Sequence, residues 1–289
     1  MVTPVPSAGA PLSGEPCGQT SAENRIMTNT PKTLEEHRQY LYDICRLKLF
    51  FISRWLKDHP EEKFSDVLRN RVDIFRKTDL NPEGINAEGI YFDNPDWLAL
   101  ESRLEEIWKM VKGDDKLFEE WGFDLIRPHL DNRCERDYLD RSAFAGYQCG
   151  FLRYNLFIMP ERPDTLGFHI ANDRQPASIF DDLDYARECF NKLLDAAENR
   201  FAVSNIGTGT WLNNHPKWLA FFPEEWRTNL GEPNTNVAWH YGFWGQFINA
   251  RGTFNAKAAA KVRETGKLQW FPRYGKCSVK AMREHINSL

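Results

Sequence analysis

A histidine and an aspartate lie four residues apart in the segment LGFHIAND, as His169 and Asp173. An imidazole can take a proton from a reacting hydroxyl or amine, and a neighbouring carboxylate can orient that imidazole. The histidine stands near the end of a predicted strand, where open α/β sheets tend to bind ligands. We therefore predict His169 as a general base with Asp173 as its partner. The alternative is a strand histidine without a chemical role.

A second segment, Trp211-Leu-Asn-Asn-His215, follows a glycine-rich strand end. Each asparagine amide offers donors and an acceptor, and the indole offers a face for stacking, so the segment is typical of a recognition loop. Asparagine is also frequent in turns, and Pro216 after His215 is typical of a helix start. Both interpretations remain open.

A third polar and aromatic segment spans residues 239–246, WHYGFWGQ, and contains His240. We predict that this segment and residues 211–215 meet at the end of the His169 strand, because a right-handed crossover places both strand ends at one edge of the sheet. The predicted catalytic residues are His169, Asp173 and His240. The predicted substrate-binding residues are Arg153, Asn172, Trp211, Asn213, Asn214, His215, Trp244 and Gln246.

A metal site is a further hypothesis. His169, His215 and His240 with Asp173 or Asp181 match the residue types of a two-histidine, one-carboxylate site. No fixed ligand spacing and no HExxH motif supports it, so we assign no metal ligand and no cofactor. The glycine-rich run from 206 to 210 lacks the lysine of a phosphate-binding loop.

Composition limits the partners. The 289 residues are 42% hydrophobic and 27% charged, as in globular proteins, and 13% aromatic, with a formal net charge of −4. No run of lysine or arginine exceeds a pair, which argues against nucleic acid as a partner. Six cysteines without regular spacing and no apolar run of bilayer length favour a cytoplasmic protein with reduced thiols and no membrane partner. The partner that we predict, as part of the enzyme hypothesis, is a small-molecule substrate.

Hydrophobic periodicity changes along the chain. Residues 1–30, rich in Pro, Gly, Ser and Thr, predict a disordered tail. Helical spacing begins at a Thr33–Glu36 capping box and predicts helices as far as Gly122. Strand alternation follows at 152–158 and 166–170, then a helix near 183–197 and another strand before Trp211. Short helices follow, including one capped by Asn255 and a last one capped by Ser278.

These elements predict an α+β fold in which a helical N-terminal layer packs on a small mixed β-sheet with C-terminal helices. The predicted regions are the tail at 1–30, the helical region at 31–145 and an α/β region at 146–289 that carries the site. The sheet is expected from residues 150–210.

The order of elements in LGFHIAN-x3-P, helix, strand and TWL resembles the GNAT-like C-terminal domain of bacterial acyltransferase-related proteins, which also follows a helical domain. The pieces WLNN-x-P, FFPEEW and FWGQF resemble an uncharacterised bacterial family. The resemblance covers roughly residues 150–250 and implies acyl transfer. The chain departs from the pattern because it has no RxxGxG pyrophosphate loop.

The leading functional hypothesis is an enzyme that transfers an acyl or related group to a small molecule with His169 as general base. The alternatives are a non-catalytic binding or docking module with an aromatic groove, and a mononuclear metal enzyme. Convergence of His169, Asp173, Asn213 and His240 on a pocket would favour the enzyme. Exposure of Trp211, Trp218 and Trp244 as one patch would favour the docking module.

Overall fold

The computed structural model describes residues 32–72, 74–81, 93–139, 147–236 and 243–289. The predicted tail at 1–30 and the candidate His240 lie outside these ranges. Within them the chain combines helices with one four-stranded mixed sheet. The predicted α+β class is confirmed.

Four helices form the helical layer: α1 (Leu34–Asp58), α2 (Phe64–Asn70), α3 (Pro95–Met110) and α4 (Asp115–Leu139). The predicted capping box starts α1, since the Thr33 side chain accepts from the Glu36 amide and Glu36 accepts from the Thr33 amide. The Asn94 side chain caps α3 by accepting from the amides of Asp96 and Trp97, and a proline follows it. Helices α1 and α4 pack along each other and form most of the core of this layer.

The prediction that a helix ends at Gly122 is wrong, because α4 continues through Gly122 and Pro128 to Leu139. A Cβ atom at position 122 would lie 3.3 Å from Leu49 and 3.4 Å from Leu104. The glycine therefore lets α4 approach α1 and α3 closely. A residue that often ends a helix serves helix packing here.

The sheet consists of β1 (Leu152–Tyr154), β2 (Thr165–Ile170), β3 (Asn205–Thr210) and β4 (Arg273–Ser278), in that spatial order. Strands β1 and β2 are antiparallel, as predicted. Helix α5 (Leu183–Asp195) then crosses over to β3, which runs parallel to β2. The mixed sheet that was expected from this crossover is present.

Two details of the sheet differ from the prediction. Strand β1 ends at Tyr154, and the predicted strand residues Leu156 and Phe157 are exposed on a following turn. Strand β4 was not predicted, because Gly275 interrupts its apolar row. The ring of Trp226 occupies the space that a side chain at position 275 would need.

One face of the sheet is buried and the other is open. Phe168, Ile206 and Cys277 lie in a core that also contains residues of α5, α6 (Pro216–Leu219), α7 (Glu224–Thr228) and α9 (Val279–Ser288). His169 is exposed on the other face, as the alternation predicts. We call this the open face.

Residues from the second half of the chain also pack into the helical layer. A 3₁₀ turn at Phe243–Phe247 and helix α8 (Ala256–Thr265) contribute Phe243, Trp244, Phe247, Ala259 and Val262 to its core. The segment between them reaches both the N-terminus of α1 and the loop after β2. None of the described helices is both long and apolar enough to cross a bilayer.

Candidate functional site

The parallel strands β2 and β3 pair only over their first halves. Their ladder joins Thr165–Gly167 to Asn205–Gly207. Residues 168–170 then pair with β1 on their other side, and residues 208–210 pair with β4. Both strands continue beyond Gly167 and Gly207 without pairing to each other, which leaves a gap in the β-ladder toward their carboxyl ends. We call this gap the β2–β3 wedge and define it by residues 168–170 and 208–210.

The wedge is accessible from the open face. Its His169 and Gly209 are exposed, whereas Phe168 and Thr208 are buried on the opposite face. Extending the register by two residues places Gly209 beside His169, and a side chain there would meet only Tyr274, 3.9 Å away. Strand backbones at a gap offer hydrogen-bonding groups to an extended ligand.

His169 is held by Asn155, a residue that the sequence analysis missed. The His169 Nε2 atom lies 2.9 Å from Asn155 Oδ1. A Cβ atom on Gly167 would lie 2.6 Å from Asn155 Nδ2, so this glycine allows Asn155 to lie across the sheet. An amide oxygen only accepts hydrogen bonds, so Nε2 carries a proton, and in the neutral imidazole Nδ1 then carries the lone pair.

Arg153 is the cross-strand neighbour of His169 on the open face. Its guanidinium lies 5.5 Å from the centroid of the Tyr147 ring. Arg153 thus lies beside His169, and its predicted contact with substrate stays a prediction.

Asp173 does not orient His169, contrary to the prediction. It accepts a hydrogen bond from Tyr185 of α5, which covers the buried face of the sheet. Burial raises the pKa of Asp173, and the Tyr185 bond partly opposes that rise. The two residues of the HxxxD pattern therefore have different partners, and Asn155 takes the predicted place of the carboxylate.

Asn172 shapes the loop after β2. Its Nδ2 donates to the carbonyls of Ala177 at 2.9 Å and Ala250 at 3.1 Å, and its Oδ1 accepts from the Arg174 amide. These bonds use the side chain inside the protein, so they give Asn172 a structural role in place of the predicted contact with substrate. They also bring the segment near residue 250 to the carboxyl edge of the sheet.

Asn213 is fully buried and lies at the centre of a hydrogen-bond network. Its Nδ2 donates to the carbonyls of Thr208 and Arg273, at 3.1 and 2.7 Å. Its Oδ1 accepts from the indoles of Trp218 and Trp226, at 3.0 and 3.2 Å. Both donors and the acceptor are thus occupied, so Asn213 stabilises the end of β3 and does not bind substrate as predicted.

The neighbouring Asn214 is used in the same way. It donates to the carbonyls of Trp211 and Phe271, at 3.0 and 2.7 Å. The polar density of this segment therefore arises from a 3₁₀ turn, Trp211–Asn214, that is tied to β4 and the residues before it.

An aromatic cluster follows the wedge on the β3 side. Trp211 stacks on Trp270 with centroids 5.6 Å apart and planes 10° apart, and His215 meets the same indole edge-on. His215 also stacks on Phe180 at 5.3 Å. Burial lowers the pKa of His215. Trp270, which was not singled out in the sequence, is the centre of this cluster.

Gln246 reaches the aromatic cluster through Trp270. Its Nε2 donates to the Trp270 carbonyl at 3.3 Å and to the Phe243 carbonyl at 3.1 Å. The structure thus brings Gln246 and Trp211 to one residue, Trp270, at the carboxyl edge of the sheet.

Trp244 belongs to the helical core and not to the site. Its indole donates to the Arg71 carbonyl at 3.2 Å, and its ring meets Phe51 of α1 edge-on at 5.5 Å. Trp218 is buried as well. The three tryptophans that would have formed an exposed patch therefore do not form one.

Metal binding has no support from the described residues, among which no three His, Cys, Asp or Glu side chains are close enough to hold an ion. His240 lies outside this part of the chain, so its predicted role stays a prediction. Comparisons with protein-family models, curated proteins and solved structures find no match to the chain.

Proposed function

We propose that the protein is an enzyme that transfers an acyl or related group to a small molecule, with an extended arm of the acyl donor bound in the β2–β3 wedge. The observation that carries this proposal is the early end of the β2–β3 ladder at Gly167 and Gly207. A chain with amide groups can pair with such strand edges as an added strand does. The resemblance to GNAT-like domains supports the same class of reaction.

The missing RxxGxG loop affects which part of the donor is recognised. Without it the chain has no sequence match for a pyrophosphate site. We therefore propose that recognition rests on the amide-bearing arm and not on a diphosphate. A short thioester that keeps this arm is then a sufficient donor.

His169 acts as general base in this proposal. Its Nδ1 takes the proton from a hydroxyl or amine of the acceptor while the acceptor oxygen or nitrogen attacks the thioester carbonyl. The carbon–sulfur bond then breaks, and the departing thiolate takes up this proton from Nδ1, which returns His169 to its neutral form. Asn155 keeps the required tautomer by accepting from Nε2–H, at 2.9 Å.

The test uses acetyl-coenzyme A and an N-acetylcysteamine thioester as donors, with a mixed set of small amines and alcohols. Thiol release is followed with a chromogenic disulfide. His169→Ala should reduce the rate by about 10² or more, as for loss of a general base. Asn155→Ala should reduce it less, by roughly tenfold, and should shift the pH profile because the tautomer is no longer fixed.

Gly209→Ala and Gly209→Val test the wedge as a matched pair. Strand β3 tolerates a Cβ at this position, so both variants should fold. Valine should weaken donor binding more than alanine, in proportion to the space it fills. Equal donor affinity in wild type and Gly209→Val, or an undiminished rate in His169→Ala, would overturn the proposal. Donor binding without any turnover would favour the non-catalytic binding module instead.

A further inference from the structure

A groove of about 470 Å³ opens beside helix α8. Its lining includes Gln246, Asn255, Lys257, Ala260, Lys261 and Trp270. This volume lies in the range of sites for small molecules. We call this space the α8 groove. It is distinct from the wedge but shares the aromatic cluster with it.

The charge of the α8 groove favours an anion. Lys257 and Lys261 lie one helical turn apart, so both ammonium groups reach the same side of α8. Both side chains are exposed, and neither has an ion-pair partner among the described residues. Glu264 lines the groove one turn further along. The lysines therefore give the end near Asn255 a positive potential.

The wall of the α8 groove favours a planar ring. Trp270 is partly exposed, and stacking on Trp211 at 5.6 Å fixes its orientation. Gln246 holds its backbone from below through the 3.3 Å hydrogen bond. Ala260 also lines the groove, and its short side chain fills little of the space. A rigid indole beside open space is a good surface for an aromatic ligand.

We propose that the α8 groove binds a small molecule with a planar aromatic ring and an anionic oxygen group, the ring against Trp270 and the anion between Lys257 and Lys261. Its role rests on the function proposed above, in which this ligand is the acyl acceptor. Trp270 contacts Trp211, and Trp211 directly follows the β3 side of the wedge. Trp270 and Trp211 thus connect the α8 groove to the carboxyl end of β3.

Binding is measured by titration calorimetry on the full chain with 6-amino-2-naphthoate, 2-naphthyl phosphate and the neutral 6-amino-2-naphthamide. Both anions should bind more tightly than the neutral amide. The affinities of the carboxylate and the phosphate show which anionic group is preferred. Lys257→Gln combined with Lys261→Gln should weaken the anions roughly tenfold at low salt and less at high salt. Lys280→Gln, on the exposed part of α9, is the control and should leave affinity unchanged.

Ala260→Leu should abolish binding by filling the α8 groove, whereas Ala256→Leu, on the same helix outside it, should not. Equal affinity for anion and amide, or unchanged affinity in Ala260→Leu, would overturn the inference. Acyl transfer to 6-amino-2-naphthoate tests its role separately. If the naphthoate binds but no acyl donor is turned over, the proposed function fails and the groove remains. If acyl transfer occurs and its rate is the same in wild type and in Ala260→Leu, the inference fails and the proposed function remains.

Discussion

The helical layer and the sheet region bury different kinds of polar groups. The helical layer buries ionisable side chains, among them His37, Lys48, Lys77, Arg133 and Asp137. The buried polar residues described around the sheet are neutral: Thr165, Thr208, Thr210 and Asn213. A buried charge is stable only with a partner, and its contribution to stability changes with pH. An amide network contains no group that titrates. We therefore expect the two regions to respond differently to mutation and to pH.

The ionic cluster of the helical layer joins three elements. His37 Nε2 of α1 lies 3.0 Å from Asp137 Oδ2 of α4, and the Lys77 ammonium lies 3.4 Å from the same oxygen. Burial alone would raise the pKa of Asp137, but Lys77 and the hydrogen bond from His37 hold that pKa well below its usual range. Asp137 is therefore ionised in the folded protein at neutral pH.

The largest effect on stability is expected for Asp137→Asn. The variant leaves the buried Lys77 without this carboxylate, and breaking a buried ion pair typically costs about 3–5 kcal/mol. Urea unfolding measures the loss. Asp131→Asn is the matched control, because Asp131 is exposed on the same helix and accepts from Tyr42, and it should change stability by less than ~1 kcal/mol. Equal losses in the two variants would contradict an ionic core.

Asn213→Ala is the corresponding change in the sheet region. It leaves two carbonyls and two indole N–H groups without their partner, and we expect a loss of roughly 2–4 kcal/mol. The loss should be the same at pH 5.5 and 7.5, because none of these groups titrates in that interval. A pH-dependent loss would remove the distinction between the two regions. Asn214→Ala, with two bonds and partial exposure, should lose less.

The sequence predicts the fold better than it predicts the site. Periodicity and caps placed α1, α3, α8 and α9, because local hydrogen bonds at Thr33, Asn94, Asn255 and Ser278 decide where those helices start. Strand β4 and the end of α4 were missed because both glycines are explained by contacts with distant parts of the chain. Gly275 makes room for a tryptophan ring, and Gly122 makes room for two leucine side chains. Tertiary packing of this kind leaves no local pattern.

The candidate site shows the same limit. The sequence directs attention to one edge of the sheet, and Trp211, Asn172 and Gln246 all lie there. It cannot separate an asparagine that binds a ligand from one that binds carbonyls of its own chain, because the residue type suits both. Asn213 is of the second kind. Asn155 and Trp270 carried no signal beyond their residue types, because their contacts come from other strands.

The pH response of stability distinguishes the histidines of the two regions. Burial lowers the pKa of His37, and the hydrogen bond to Asp137 opposes this only in part. A group with a lowered pKa in the folded state binds its proton more readily when unfolded. Its contribution to stability is therefore complete above the unfolded pKa of ~6.5 and is lost as pH falls below it, by at most ~1.4 kcal/mol per pH unit.

Unfolding free energies between pH 7.5 and 5.5 test this for His37→Asn and His215→Asn. The pKa of His215 is also lowered by burial, so both variants should flatten the pH dependence of wild type. His37→Asn should flatten it more, because His37 is 4% exposed and His215 is only partly buried. A steeper slope in His37→Asn than in wild type would show that His37 is charged in the folded protein.

The smallest effect on stability is expected for His169→Ala. The side chain is exposed, and its bond to Asn155 lies at the surface, so its removal should change the unfolding free energy by less than ~0.5 kcal/mol. The preceding residue gives the contrast, since Phe168 is 2% exposed on the other face and Phe168→Ala should lose about 3–5 kcal/mol. The two adjacent residues of β2 then have different roles: Phe168 stabilises the fold, and His169 serves the chemistry. A loss near 2 kcal/mol in His169→Ala would indicate a structural histidine, and reduced acyl transfer in that variant would no longer point to a general base.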